Sequence, residues 1–119
     1  MFSEILQKIL QETYGGIGIS LMGYDGIAIE QHLAEYEAVD LQLLAVEYAN
    51  VLKEVKRAVE VLDTGFMEEV TVKTEKFLVV VRALSEEYFV VLTLTADGNF
   101  GKARYLLMRE APKLREALS

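Results

Sequence analysis

Ile17-Gly18-Ile19-Ser20-Leu21-Met22, then Gly23-Tyr24-Asp25-Gly26, then Ile27-Ala28-Ile29-Glu30-Gln31-His32: residues 17–32 decide the fold. Two apolar segments with β-branched residues flank an Asp-Gly pair, and a tight hairpin needs the positive φ that glycine supplies. Upstream, Phe2, Ile5, Leu6, Ile9 and Leu10 recur at the spacing of an amphipathic helix. Ser3 stands where it can cap that helix, and Gly15-Gly16 stop it. Downstream, the polar Glu35–Asp40 leads into the longest element, about residues 39–62, which Gly65 ends.

Three more strands follow. Phe66–Lys73 alternates moderately, Phe77–Leu84 is apolar at nearly every residue, and Tyr88–Thr95 alternates. Lys73–Lys76 and Ser85-Glu86-Glu87 are the turns between them. The near-continuous apolar run predicts a central strand covered on both faces. Ala96–Asn99 turns the chain into a last helix with Ala103, Leu106, Leu107, Ala111, Leu114 and Leu118 on one side. Pro112 either kinks this helix or divides it in two. The order is α-β-β-α-β-β-β-α in one domain, residues 1–119. Short links force the successive strands to be antiparallel, so the class is α+β with helices covering the sheet.

The long helix carries more apolar surface than one neighbour needs. At 100° per residue, Leu41, Leu44, Ala45, Tyr48, Ala49, Val51, Leu52, Val55, Ala58, Val59 and Leu62 cover about half its circumference. Such a half-cylinder is either sunk deep in its own core or shared between its sheet and a second chain, and the second arrangement is favoured.

Composition removes several function classes. The 119 residues are 52% hydrophobic with a single proline and no linker-like run, so one domain with a sizeable core is expected. A formal net charge of −7 and a pI near 4.7 argue against nucleic acid and against an anionic membrane surface. The absence of cysteine excludes a disulfide frame and thiolate chemistry and fits a cytoplasmic site. Met1-Phe2-Ser3-Glu4 does not read as a secretory signal. No apolar run approaches the roughly 20 residues that span a bilayer, so no membrane insertion is expected.

Reactive chemistry is sparse. His32 is the only histidine, expected to be solvated at a strand end, with no serine beside it to form a triad. Glu68-Glu69 and Glu86-Glu87 are adjacent pairs whose side chains would leave a strand on opposite faces, so neither can hold a metal. Gly98-Asn99-Phe100-Gly101-Lys102-Ala103 sits where a phosphate-binding loop would lie. Its glycines are too close together, and Ala103 replaces the Ser/Thr that would hold Mg²⁺. No cofactor, metal or catalytic residue is assigned.

These words in this order resemble the roadblock / dynein light chain superfamily, and within it the small MglB-like bacterial proteins that partner a Ras-like GTPase. The resemblance is carried by the opening helix, Tyr24-Asp25-Gly26, the long helix closed by Gly65-Phe66, Glu68-Glu69-Val70, and Gly101-Lys102-Ala103-Arg104 with Leu106-Leu107 and Pro112-Lys113-Leu114. It implies a five-stranded antiparallel sheet with the long helix on one face and the terminal helices on the other. It also implies a homodimer with a continuous sheet, paired through Tyr48, Leu52, Val55, Val59, Phe66, Glu68 and Val70. An interface of that kind is on the order of 2,000 Å². The polar face of the long helix, with Val46, Ala49, Asn50, Lys53 and Arg57, would then meet a small Ras-like GTPase in its GTP state. GTP hydrolysis would be promoted by positioning the GTPase's own groups, with Arg57 a contact rather than a catalytic finger. Several MglB-like proteins carry an extra C-terminal segment, and this sequence stops at Ser119, so a contact made by such a segment is not expected. The alternative is a dimeric scaffold, like the light chains, with no effect on hydrolysis.

Overall fold

Residues 17–32 form the expected hairpin in the structure, a computed structural model that describes residues 1–119. Strand β1, Gly16–Gly23, pairs antiparallel with β2, Ala28–Leu33, from Gly18 opposite Leu33 to Met22 opposite Ala28. The Gly26 N–H donates to the Gly23 carbonyl, and Gly26 takes φ +86° to close the turn. The register slips between Leu21 and Met22, so the outer strand carries a bulge, a common way of blunting a sheet edge.

The remaining elements are α1 (Phe2–Glu12), α2 (Leu41–Leu62), β3 (Glu69–Lys73), β4 (Phe77–Ala83), β5 (Tyr88–Thr95) and α3 (Phe100–Leu118). The five strands form one antiparallel sheet in the order β2-β1-β5-β4-β3. β4 and β5 lie inside it and are buried on both faces, as their apolar runs predict. Alternation along the strands divides the core in two. Ile19, Leu21, Leu78, Val80, Val90, Leu92 and Leu94 face α1 and α3. Met22, Val79, Val81, Phe89 and Val91 face Ala45, Ala49 and Leu52 of α2. The long helix therefore covers one face and the terminal helices the other.

Several boundaries and local roles differ from the sequence reading. β3 begins at Glu69, so Phe66 and Glu68 precede the strand. α2 ends at Asp63 in the left-handed region, φ 54°, two residues before Gly65. Aspartate tolerates that conformation better than most side chains. α3 runs unbroken through Pro112. The missing N–H leaves only the carbonyl of Met108 without its usual donor, and both residues lie on the exposed side of the helix. Ser3 caps nothing, because helix α1 starts from Met1. Its hydroxyl instead lies 3.0 Å from Nε2 of His32, so the histidine is not simply solvated: the pair ties α1 to β2. No carboxylate bonds the other ring nitrogen, so the pair is not a triad.

Candidate interaction surface

Helix α2 is started by Asp40, whose carboxylate accepts from the N–H groups of Gln42 and Leu43 at 3.1 Å each. Once started, the helix divides its surface three ways. Leu41, Ala45, Ala49 and Leu52 are buried in the chain's own core. A second apolar line runs beside them: Leu44, Tyr48, Val51, Val55, Ala58 and Leu62. Its members are half-buried or exposed, with Val51 at 50% and Leu62 at 70% exposure. Steps of four and three residues alternate along this line, which is the seam spacing of paired helices, about one apolar residue per 3.5. The half-cylinder is thus two stripes, and the chain's own sheet covers only one. The open seam continues past the helix end to Phe66, 87% exposed. On the same side of the fold β3 is the outermost strand, with Val70 half-buried.

The third surface is polar. Asn50, Lys53 and Arg57 are exposed on it. Arg57 is held against its own helix: Nε and Nη2 both donate to Oε2 of Glu54 at 3.3 Å. The pair is exposed and contributes little stability. Lys53 forms no ion pair with any residue of the chain, which leaves it a free positive charge on this face. Lys56 belongs to a different neighbourhood. Its ammonium sits 2.9 Å from Oε2 of Glu86 and 5.1 Å from the centre of the Tyr24 ring.

Two of the expected contact residues are buried in the single chain, and a third is half-buried. Leu52 is 1% exposed and packed on the sheet, so it has no surface to offer a second chain. Ala49, also 1% exposed, is likewise inside the core rather than at the border of the polar face. Val46 is half-buried and leans on the core beneath α2 rather than standing free among polar residues. A single residue step, about 100°, separates a border position from a buried one, and periodicity alone does not say where the sheet lies. Tyr48, Val55 and Val59 are half-buried and Glu68 is exposed. Val51 and Leu62, which belong to the half-cylinder but were not singled out as contacts, are the more exposed members of the seam.

The phosphate-loop lookalike is occupied by the chain itself. Asn99 Oδ1 accepts from the N–H of Lys102 at 3.0 Å, which caps α3 from within. A Cβ on Gly98 would stand 2.8 Å from Cδ2 of Leu94 and 3.0 Å from the Thr95 carbonyl, so this glycine serves packing. No three His, Cys, Asp or Glu side chains gather in a way that could hold a metal ion. No helix is long and apolar enough to cross a membrane.

Comparison with known proteins follows the same lines. Residues 2–93 match the Roadblock/LC7 domain family. The chain is similar to MglC from Myxococcus xanthus, with 43% identity over 96% of each chain and a TM-score of 0.69. It shares its fold with a Roadblock/LC7 domain from Streptomyces avermitilis at 14% identity, covering 98% of this chain and 96% of that one, TM-score 0.83. It also shares it with the gliding protein MglB from Thermus thermophilus at 20% identity, covering 95% and 84%, TM-score 0.81. No curated protein sequence matches significantly. A family match over most of the chain and a 43% identical relative of the same length together place this protein in the Roadblock/LC7 domain family.

Proposed function

We propose that this protein is a non-catalytic homodimer that binds a small Ras-like GTPase in its GTP state and promotes hydrolysis by positioning the GTPase's own residues. The observation that carries the reading is the second apolar stripe of α2, which the chain's own sheet does not cover. Two copies joined along Tyr48, Val51, Val55, Val59 and Leu62, with Phe66, Glu68 and Val70 at the strand end, bury that stripe and the open edge of β3 together. The union brings two polar faces side by side. Asn50, Lys53 and Arg57 of each copy then form a composite surface for a GTPase, working in the cytoplasm without cofactor or metal. The family membership and the fold shared with MglB support this choice of partner.

A dimeric scaffold that leaves hydrolysis unchanged is the second reading. The burial of Ala49 favours it, because it leaves a smaller surface for a switch region. Nucleotide dependence separates the two, since a ligand that binds both GTPase states equally shifts neither. The tagged protein, incubated with lysate of its source organism and either a non-hydrolysable GTP analogue or GDP, is expected to retain a small GTPase only with the analogue. Equal retention in both, or retention of other proteins alone, favours the scaffold.

A further inference from the structure

Helix α3 is charged against the rest of the molecule. Five of the chain's 12 Lys and Arg and two of its 19 Asp and Glu lie within Phe100–Leu118, so the helix carries +3 and the other residues −10. Little of that excess is neutralised nearby. Arg109 and Lys113 share one carboxylate, that of Glu110, at 2.9 and 3.6 Å. Arg104 is paired with Glu69 at 2.8 Å. Lys102 and Arg115 form no ion pair, and Nε of Arg115 donates to the Leu84 carbonyl instead. Between these cations runs an apolar strip. Tyr105 and Met108 are each 51% exposed, and Pro112 is exposed one turn further on. At 100° per residue the strip has Arg104 and Arg115 on one side and Lys102, Arg109 and Lys113 on the other. Beside Pro112, a hollow of about 570 Å³ opens between Met1, Phe2 and Ile5 and the Lys113, Glu116 and Ala117 side of α3.

We infer that the outer face of α3 is a docking surface for an acidic amphipathic helix of another protein. An apolar strip between two rows of cations matches a helix with apolar residues three or four apart and Asp or Glu on both flanks. The hollow beside Pro112 receives an apolar anchor at one end of such a helix, against Phe2, Ile5 and Ala117. The same distribution of charge disfavours a broad polyanion. A membrane or a nucleic acid extends its negative surface past the strip onto the −10 of the remaining residues, beginning with Glu116, which is exposed beside Pro112. A single acidic helix meets the cations alone. The face also stays open in the proposed dimer, because α3 and α2 lie on opposite faces of the sheet. Each dimer therefore offers two such surfaces to a second protein while α2 is engaged elsewhere.

The test is a titration of the isotope-labelled full chain followed by NMR, with synthetic peptides of about 18 residues as probes. The first has Leu at three- and four-residue spacing flanked by Glu. The second has every Glu replaced by Gln, and the third has the composition of the first in scrambled order. Phosphatidylserine vesicles and duplex DNA are the remaining arms. Only the first peptide is expected to move the amides of 102–117, with a Kd of about 100 μM or tighter, and to leave those of 50–57 in place. Raising the salt from about 0.1 M to about 0.5 M is expected to weaken it several-fold. Lys102→Gln combined with Lys113→Gln removes two cations and leaves Arg109 to hold Glu110. Tyr105→Ala truncates the strip. All three positions are exposed, so both variants are expected to keep the parent's circular dichroism and to bind the first peptide about tenfold more weakly. The inference is overturned if the first peptide moves no amide of α3, or if the neutral or scrambled peptide binds as tightly. It is equally overturned if vesicles or DNA are held on this face more tightly than the peptide, or if both variants keep the parent's affinity. The surface lies across the sheet from α2, so its failure would leave the GTPase reading untouched.

Discussion

Tyr24 shows how one side chain can be well packed and still incomplete. Its ring is held by Phe89 and Lys56, while its hydroxyl has no partner. In the unfolded chain the phenol titrates near 10, and in the fold at about 12, so the unfolded form releases its proton first as pH rises. The stability linked to the protonated phenol is whole below pH 10 and is lost between about 10 and 12. Urea midpoints measured across that window are expected to fall less steeply in Tyr24→Phe than in the parent. A second contrast lies in two glycines. Gly15 has φ +83°, and a Cβ there would stand 2.6 Å from the Gly98 Cα. Gly101 lies in the first turn of α3 with nothing closer than 3.9 Å to an added Cβ. Gly15→Ala is expected to cost about 2–3 kcal/mol in chemical denaturation. Gly101→Ala is expected to add about 0.5–1 kcal/mol.

At the scale of elements, α2 carries the functional reading, and its two stripes respond differently to substitution. Val51 is half in solvent in the single chain, so a charge there does little to the fold of one copy. Val51→Glu is expected to remain helical by circular dichroism while losing about 3 kcal/mol or more of dimer stability, because pairing would bury an unpartnered carboxylate. Leu52→Ala, one position away, removes a fully buried side chain and is expected to lower the stability of each copy by about 2–5 kcal/mol. The order of elements, the hairpin turn and the covered central strands were legible in the sequence because each is a local pattern: Asp-Gly between apolar segments, alternation, an unbroken apolar run. The half-cylinder on α2 was legible too. Its division was not, since which of Ala49, Leu52 and Val51 meets the sheet depends on how the helix is rolled onto it, a property of tertiary packing. The start of β3 was misplaced for the same reason: the Ala83 N–H still donates to the Glu68 carbonyl, but β4 ends at Ala83 and offers Phe66 and Met67 no partner.

At the scale of the molecule, the acidic chain has its exposed polar helix face marked by one free cation, Lys53. Charges at the rim of an interface act on encounter and specificity. Lys53→Glu is therefore expected to weaken capture of the GTP-bound GTPase by about tenfold and to leave the dimer intact, read by binding and by solution mass in parallel. A regulator built this way has no chemistry of its own; it works only if two chains join so that their polar faces lie together. The mass of the protein in solution at micromolar concentration, by light scattering, tests that requirement most directly. Twice the mass of one 13.4 kDa chain, falling to a single chain in Val51→Glu, is the expected result. A parent protein that is a well-folded monomer, or a Val51→Glu variant as dimeric as the parent, would contradict it.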